Sequence, residues 1–353
     1  MQKKPTNKYQ FHKKIVVIGG GTGTFTLLRG LTKLNQPDLI TAIPGMWDNG
    51  GSTGRLRSEL GALPVGDIRQ CLIGLMETEE QQLWAMRLSN DRFKDVVGPL
   101  QGQDLFNLII DRLSTISGGL QNGIDAFRDL HKINGHVTPV TLINVDLSSQ
   151  FSKGPDLFGE EKLDDRWKTP NFDPNNRVEA IYLSTPAEAN PQAIEAIKKA
   201  DLIVFPPGSL YGSILPHFLI KGIKESINKS SAKIIYVANL MTERGQTDTL
   251  HNASDYLRQF LFYLDGKQRL DYLVANKNGI EDEPLNFYIQ KGHQSPINVD
   301  WDECLKLIPA LKIATRSMVT YIKEQNLLRH DYTKLGEVIL DPDKFVVGDG
   351  MFP

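Results

Sequence analysis

Two glycine-rich segments of the sequence contain the residue types that bind phosphate groups. The first, GGGTGT at residues 19–24, follows the apolar run IVVI and precedes a helical pattern. Glycines let backbone N–H groups approach a phosphate, and a helix that begins there adds the positive end of its dipole. The match to the dinucleotide fingerprint is partial, because the third glycine position holds Thr26, and no Walker A sequence is present. A plain tight turn explains this segment equally well.

The second segment, WDNGGSTGR at residues 47–55, follows a short apolar run that predicts a strand. Asp48 lies about 25 residues beyond Gly23, roughly where a Rossmann acid binds a ribose hydroxyl. Asp48 could also be the first residue of an Asx turn. A third alternative is a Mg²⁺ site in which Asp48 and Asn49 provide oxygen ligands. Spacing alone slightly favours the turn.

The remainder of the second segment, GGSTGRLR, favours an anion site. Its glycines and hydroxyls offer hydrogen-bond donors, and Arg55 and Arg57 carry guanidinium groups that bind phosphate or carboxylate in a bidentate manner. In the competing interpretation, these arginines pair with Glu59 on a solvated face.

Three more segments follow the same pattern of a glycine or polar loop that leads into a helix. In LPVGDIRQC, Asp67 is most simply a helix N-cap, a role worth about 1 kcal/mol. Arg69 lies in the first turn, where the helix dipole disfavours a cation unless an anion is near. In the other two loops, PPGSLYGSILP and NLMTERGQTD, the candidate binding residues are Gly208, Ser209, Asn239, Thr242 and Asp248.

The elements that must position these loops alternate between strand and helix. Predicted strands cover residues 14–18, 39–43, 137–145, 178–183, 201–205, 233–238 and 270–274. Predicted helices cover residues 25–34, 104–113, 120–133, 191–199, 255–263 and 332–339, and a further helix begins at Asp67. Repeated β-loop-α units predict a Rossmann-like α/β fold, with a mainly parallel sheet and helices on both faces. The polar loops are expected to meet beyond the carboxyl ends of the strands.

The domain organisation follows from composition along the chain. Residues 14–340 are expected to form one α/β domain with a small C-terminal α/β portion, between tails at 1–13 and 341–353. Residues 151–177 are rich in Pro, Gly, Asn and charge and show no sustained period, which predicts an exposed excursion or hairpin, or partial disorder.

Composition excludes several classes of function. The 353 residues include 40 Lys and Arg against 42 Asp and Glu, a balance without the basic excess of a nucleic-acid-binding protein. The two cysteines, Cys71 and Cys304, have no metal or disulfide spacing, which fits a reducing cytoplasm. The apolar run after the basic N-terminus is too short for a signal peptide or a membrane span. We therefore expect a soluble cytoplasmic protein.

Catalytic motifs are missing from the sequence. It has no G-x-S-x-G or H-E-x-x-H motif, and we interpret His217 and His251 as structural or exposed. Chemistry built from Asp, Asn, Arg and backbone N–H groups suits either the binding or the transfer of a phosphorylated group. The residue types do not distinguish binding from transfer.

Four long motifs resemble the YvcK-type gluconeogenesis factors, within the CofD-like superfamily. They are GGGTGTFTLLRGL, DNGGSTGRLRSELGALPVGDIRQCL, ADLIVFPPGSLYGSILPHFLIKGI and YVANLMTERGQTD, and the resemblance spans roughly residues 14–339. It implies a Rossmann-like core, a cytoplasmic setting and binding of UDP-glucose or UDP-N-acetylglucosamine. It also implies a role in carbon metabolism, cell-wall precursor supply or cell shape, without an established reaction.

The enzyme branch of this superfamily, 2-phospho-L-lactate transferase, uses a guanosine-linked donor, a deazaflavin acceptor and Mg²⁺. The GDIRQCL and SLYGSILP segments mark the YvcK side, so the transferase activity is not carried over. The sequence departs from the family pattern in three places. Asp48-Asn49 replaces two acids, which weakens a metal site, and Pro206-Pro207 precedes Gly208. The polar excursion at residues 151–176 is longer than, or different from, that of the family, which leaves its contacts open.

The sequence thus predicts a regulatory protein that binds a UDP-sugar, and a Mg²⁺-dependent transferase is the alternative. An NAD-dependent oxidoreductase ranks last, because the sequence offers no candidate proton donor. No cofactor is certain, and a regulatory protein partner and a homo-oligomer both remain open. The residues expected to bind the ligand are Gly20, Gly21, Thr22, Gly23, Asp48, Asn49, Gly50, Gly51, Ser52, Arg55, Asp67, Arg69, Gly208, Ser209, Asn239 and Thr242.

From the sequence alone, we expect Arg55→Ala to weaken ligand binding substantially, because a charge-assisted contact to phosphate would be lost. Isothermal titration of the two proteins with a UDP-sugar measures the change. Equal affinities would remove the GGSTGR segment from the site.

Overall fold

The structure, a computed structural model, describes residues 10–265, 269–277 and 279–347. Within these residues, seven parallel strands form the central sheet. These strands are β1 (Ile15–Ile18), β2 (Ile40–Ile43), β3 (His136–Val137), β7 (Leu202–Phe205), β8 (Lys233–Val237), β9 (Tyr272–Asn276) and β10 (Lys312–Arg316). The predicted α/β fold with a mainly parallel sheet is confirmed.

Two smaller antiparallel sheets complete the strands of the described chain. Their strands are β4 (Leu147–Phe151), β5 (Leu157–Phe158), β6 (Val178–Leu183), β11 (Val319–Ile322) and β12 (Leu327–His330). The order of the first is β5-β4-β6, and β11 and β12 form a hairpin. The predicted strand at residues 178–183 therefore exists, but it lies outside the parallel sheet.

The helices connect and cover the strands. They are α1 (Gly21–Leu34), α2 (Gly51–Leu60), α3 (Gly66–Gly74), α4 (Glu79–Asp91), α5 (Leu105–Ile116), α6 (Leu120–His131), α7 (Glu160–Asp164), α8 (Pro191–Lys199), α9 (Ile223–Lys229), α10 (Ala253–Tyr263), α11 (Asp282–Phe287), α12 (Trp301–Leu307) and α13 (Tyr332–Leu340). The predicted helices at 104–113, 120–133, 191–199, 255–263 and 332–339 correspond to α5, α6, α8, α10 and α13 within a few residues.

Buried apolar runs explain the central strands. All four residues of β1 and all four of β7 are buried, as expected for parallel strands covered on both faces. From β1 the strand order runs outward through β2 to β3 on one side and through β7 to β10 on the other. The order therefore reverses between β1 and β7, and open α/β sheets bind ligands beyond the carboxyl ends at such a point.

Two local predictions are wrong. The strand expected at residues 137–145 ends at Val137, because Pro44, which follows the neighbouring strand β2, has no N–H with which to continue the ladder. The helix expected from residue 25 already begins at Gly21, so that the glycine segment forms its first turn.

Residues 151–177, expected as an exposed excursion, contain β5 and α7 and are attached to the rest of the fold through Arg166. This side chain is buried, and its guanidinium lies 4.0 Å from the centre of the Phe151 ring. It also donates a hydrogen bond of 2.8 Å to the carbonyl of Gly245, which follows β8. This anchor fixes α7 beside the carboxyl edge of the central sheet.

Helices α1 and α13 approach each other at two glycines. A Cβ atom on Gly30 would lie 1.9 Å from the carbonyl oxygen of Tyr332, and one on Gly336 would lie 2.9 Å from the carbonyl carbon of Gly30. Any side chain at Gly30 would therefore force the two helices apart.

We expect Gly30→Ala to lower the free energy of unfolding by on the order of 2 kcal/mol. The overlap outweighs the gain of about 1 kcal/mol in helix propensity that alanine brings. Gly279→Ala is the control, since nothing lies within 4 Å of its added Cβ. Urea denaturation of the three proteins measures the difference, and equal losses for both variants would contradict close packing at Gly30.

Candidate functional site

A cleft of about 610 Å³ lies at the carboxyl edge of the central sheet, where the strand order reverses. We call it the main cleft; its walls come mainly from residues 20–23, 160–165, 207–209, 239–243 and 328–330. The predicted site residues that line it are Gly20, Gly21, Thr22, Gly23, Asp48, Gly50, Asp67, Gly208, Ser209, Asn239 and Thr242. The structure thus brings together loops that follow four different strands.

The first turn of α1 forms one wall of the main cleft. Its N-cap, Gly20, provides no side-chain cap, and the N–H of Gly21 donates a hydrogen bond of 2.8 Å to Oδ1 of Asp67. A Cβ on Gly20 would lie 1.9 Å from Oδ2 of Asp67, so only glycine allows this approach. The prediction that Asp67 caps its own helix is wrong, because Val65 is the N-cap of α3. Asp67 instead caps α1.

The loops after β1, β7 and β8 contact one another through their backbones. A Cβ on Gly23 would lie 1.5 Å from the carbonyl oxygen of Pro207. Asn239 accepts a hydrogen bond of 3.0 Å from the N–H of Gly208 and donates one of 2.7 Å to the carbonyl of the same residue. Ser209 donates to Gln246 and accepts from the N–H of Gly212. These contacts fix the shape of the wall before any ligand enters.

The segment at residues 47–55, predicted as a turn or an anion-binding loop, forms a turn at Asp48 and then the start of α2. Asp48 lies in the main cleft, and its Oδ1 accepts a hydrogen bond of 2.9 Å from the N–H of Gly50, as in an Asx turn. From Gly51 onward the chain is helical. Ser52 is buried and donates to Gln103, so its hydroxyl serves the packing of α2.

Several residues singled out in the sequence do not line the main cleft: Asn49, Gly51, Arg55, Arg57 and Arg69. Arg55 donates to the carbonyl of Gln101, and Arg69 forms a buried ion pair with Asp104. The expectation that Arg57 pairs with Glu59 is not met, because Arg57 pairs with Asp146 at 2.8 Å. The Oδ1 of Asn49 accepts a hydrogen bond from the N–H of Glu161, which holds α7 over the cleft.

Several cleft residues were missed by sequence reasoning. They are Gln70, Glu160, Glu161, Asp164, Asp165, Ser213, Glu243, Tyr288, Gln294, Leu328, Arg329 and His330. The run GEEKLDD at residues 159–165 was a signal for the acidic members, but it lay in the segment interpreted as an excursion. Nothing in the sequence around Arg329 and His330 connects them to the glycine loops.

Carboxyl groups dominate the electrostatics of the main cleft. Burial, and next the charge of Asp48, raises the pKa of Asp67 from 3.8 to about 7. Burial, and next the charge of Asp164, raises the pKa of Glu243 to about 8. Desolvation in the cleft, followed by the charge of Asp48, raises the pKa of Asp164 to about 6, and the pKa of Glu160 is also raised. Part of this acidic set therefore carries protons near neutral pH.

The wall formed by β12 and by residues that follow α11 is less acidic. Among the described residues that line the main cleft, Arg329 is the one Lys or Arg. His330 is 8% exposed, its Nε2 has no hydrogen-bond partner, and burial lowers its pKa to about 4, so that the ring is neutral. The hydroxyl of Tyr288 accepts a hydrogen bond of 3.0 Å from the N–H of Leu328. This wall combines an aromatic ring, apolar surface and a single cation.

The described residues do not form a metal cage of their own. In the part of the chain that the structure describes, no three His, Cys, Asp or Glu side chains converge to surround an ion. One oxygen each of Asp48 and Asp67 is already hydrogen-bonded to a backbone N–H.

His217, interpreted as structural, is fully buried, and its ring nitrogens contact the carbonyl oxygens of Ile214 and Ile43.

Comparison with known proteins finds similar sequences over most of the chain. The model of the CofD family, described as 2-phospho-L-lactate transferase CofD, matches residues 15–317. A gluconeogenesis factor from Bacillus subtilis is 33% identical over 333 residues, which cover 93% of this chain and 97% of the relative. A gluconeogenesis factor from Halalkalibacterium halodurans is 34% identical over 333 residues, which cover 93% and 96%.

Solved structures agree with these sequence relatives. The crystal structure of a UPF0052 family protein from Bacillus halodurans has a TM-score of 0.82 and 33% identity, over 93% of this chain and 100% of that chain. Among the helices of the described residues, none has the length and apolar character that a membrane span requires.

We expect Asp67→Asn to gain stability relative to the wild type as pH rises. The raised pKa of Asp67 means that its ionised form is disfavoured in the folded state. This penalty is absent below about pH 4, develops as pH rises, and is complete above about pH 7. Asparagine keeps the acceptor for Gly21 but carries no charge, so the difference in free energy of unfolding should shift by on the order of 2–4 kcal/mol between pH 4 and pH 8.

Urea denaturation of wild type and Asp67→Asn across this pH range makes the measurement. Glu79→Gln is a control with the opposite sign, because a hydrogen bond from Lys33 lowers the pKa of Glu79. Parallel stability profiles for wild type and Asp67→Asn would show that Asp67 is not held at a raised pKa.

Proposed function

The chain belongs to the CofD family and to the gluconeogenesis factors within it, and from this membership and the main cleft we propose that it is a cytoplasmic regulatory protein that binds nucleotide sugars. UDP-glucose and UDP-N-acetylglucosamine are the expected class of ligand. The protein would then link central carbon metabolism and gluconeogenic growth to the supply of cell-wall precursors or to cell shape.

The observation that carries this proposal is the first turn of α1 at the reversal point of the sheet. The N-terminal turn of a helix leaves backbone N–H groups without intrahelical partners, and its dipole attracts negative charge. Gly20 and Gly23 allow Asp67 and Pro207 to pack against this turn, so the ligand would meet a fixed backbone surface. A diphosphate seated there needs no lysine.

The other walls suit the remaining parts of a nucleotide sugar. A cleft of about 610 Å³ lies within the usual range for small-molecule sites. Carboxyl groups accept hydrogen bonds from the hydroxyls of a sugar, and a carboxyl group that keeps its proton can also donate one, so Glu160 and Asp164 are suitable partners for a sugar ring. Tyr288 and Leu328 supply the flat and apolar surface that a nucleobase requires.

A Mg²⁺-dependent transferase of a phosphorylated group is the alternative. The raised pKa values of Asp67 and Glu243 in the cleft favour it, since perturbed carboxyl groups are typical of general acids and bases. Mg²⁺ is commonly held by one or two carboxylates and completed by substrate phosphates, so the lack of a protein-only cage among the described residues leaves this alternative in place.

Isothermal titration with a panel of UDP-sugars, GDP and NAD, with and without Mg²⁺, separates the two functions. Micromolar binding of a UDP-sugar that stays intact by mass spectrometry is the expected result. A Mg²⁺-dependent preference for a guanosine nucleotide, or turnover that is lost in Asp48→Asn while binding persists, would favour the transferase.

We expect Arg329→Gln to weaken binding of the UDP-sugar by roughly 10-fold to 100-fold, because a charge-assisted contact is worth about 1.5–3 kcal/mol. Lys323→Gln is the matched control, since Lys323 follows β11, is exposed and lies outside the main cleft. Equal affinities of the Arg329 and Lys323 variants would show that the hairpin does not contact the ligand. Because Arg329 lines the main cleft and Arg55 does not, Arg329→Gln should weaken UDP-sugar binding more than Arg55→Ala does.

A further inference from the structure

A cavity of about 650 Å³ lies between the beginning of β6, the loop that follows β8, and α10. We call it the side cavity. Tyr211 and Gln246 form part of its lining, and among the described residues none lines both this cavity and the main cleft. The side cavity is therefore a separate space with its own set of polar groups.

Hydrogen bonds fix the wall between the side cavity and the main cleft. Gln246 is buried and lines the side cavity. Its Oε1 accepts a hydrogen bond of 2.8 Å from the hydroxyl of Ser209, and its Nε2 donates one of 2.8 Å to Oδ1 of Asp164. Ser209 and Asp164 line the main cleft, so this buried amide stands between the two spaces.

Arg166 joins the other two sides of the side cavity. It is buried and donates hydrogen bonds to the carbonyl of Asn176, just before β6, and to the carbonyl of Gly245, in the loop after β8. Because both contacts come from one buried side chain, the spacing between these two segments is set before any ligand enters. A preformed cavity needs less ordering when a ligand binds, which favours affinity.

Tyr211 places an unpaired hydroxyl in the side cavity. This residue is 2% exposed, and its hydroxyl makes no hydrogen bond to any of the described residues. The oxygen is not sealed in the interior but borders the cavity. Burial, and next the proximity of Tyr263, raises the pKa of this hydroxyl, so it keeps its proton and can both donate and accept. Buried tyrosine hydroxyls normally have a partner, so this one points to a polar group of a ligand.

Helix α10 and the loop before it add polar groups of the same kind. Gln259 lies one turn after Asp255 on α10, and both residues line the side cavity. The amide of Gln259 has no hydrogen-bond partner in the described part of the chain, and it can donate as well as accept. Thr249 adds a further hydroxyl. Groups that both donate and accept therefore face the same space.

The charged groups of the side cavity leave no surplus positive charge. Among the described residues that line it, Arg177 is the one cation, and its guanidinium lies 3.8 Å from a carboxylate oxygen of Glu179. Asp255 forms an ion pair with Arg258 at 3.0 Å. An anionic ligand would meet two carboxylates and a cation that already has a partner, so the lining favours an uncharged ligand.

We propose that the side cavity binds an uncharged mono- or disaccharide. Sugar hydroxyls both donate and accept hydrogen bonds, as the hydroxyl of Tyr211 and the amide of Gln259 require. Val178 and Leu250 also line the cavity and offer apolar surface to the C–H face of a sugar ring. The volume lies within the usual range for small-molecule sites. The proposal does not depend on the identity of the ligand in the main cleft.

Glucose, N-acetylglucosamine and maltose are the probes for the experiment. Saturation-transfer difference NMR, with each sugar titrated into the full-length protein, should show saturable binding of at least one of them. Tyr211→Phe removes only the hydroxyl and should weaken that binding by about 3-fold to 10-fold, as expected for one lost hydrogen bond. Gln259→Leu, a change on the surface of α10, should cause a loss of similar size.

Tyr182→Phe is the matched control. It removes the same hydroxyl group from a tyrosine of β6 that donates to Asp156 at 2.7 Å and lies outside the side cavity. Its affinity for the sugar should stay within about twofold of wild type.

Four results would overturn the proposal. The first is the absence of saturable binding of all three sugars to the wild type, and the second is unchanged affinity in both Tyr211→Phe and Gln259→Leu. The third is a loss in Arg329→Gln without a loss in Tyr211→Phe, which would place the sugar in the main cleft. The fourth is tighter binding of glucose 6-phosphate than of glucose, which would show that the cavity selects an anion.

Discussion

The contact of Asp67 with the first turn of α1 is the constraint around which the main cleft is built. It joins the loop after β1 to the start of α3, and it requires glycine at position 20 because a side chain would overlap the carboxylate. The same carboxylate lies near Asp48, and this proximity contributes to its raised pKa. One buried acidic group thus sets the position of the helix terminus and limits how much negative charge the site can hold.

The central sheet and the place of the main cleft were predictable because they rest on local patterns and on one geometric rule. Buried runs such as IVVI and LIVF define parallel strands without any tertiary information. Parallel strands end at one edge, so polar loops after β1, β7 and β8 must lie near each other. This reasoning placed Gly20, Gly208 and Asn239 beside one another correctly, although it could not assign their hydrogen bonds.

The remainder of the site depends on contacts between distant segments. Helix α2 begins in a glycine-rich run with low intrinsic helix propensity, and packing such as the Ser52–Gln103 hydrogen bond stabilises it instead. Glu160 and Arg329 enter the main cleft from α7 and β12, which no spacing in the sequence connects to the glycine loops. The roles expected for Arg55 and Arg69 rested on residue type, and type alone cannot tell that these guanidinium groups contact Gln101 and Asp104 instead of the main cleft.

The imbalance of charge in the main cleft has a consequence for the selection of metabolites. Among the described residues that line it, the site has several carboxyl groups and a single arginine, so every phosphate charge that a ligand adds is penalised, since like charges repel more strongly where water is scarce. Esterification of the terminal phosphate by a sugar removes such a charge and presents hydroxyl donors in its place. If the cleft binds a nucleotide sugar as proposed, nucleoside triphosphates would therefore compete poorly for it.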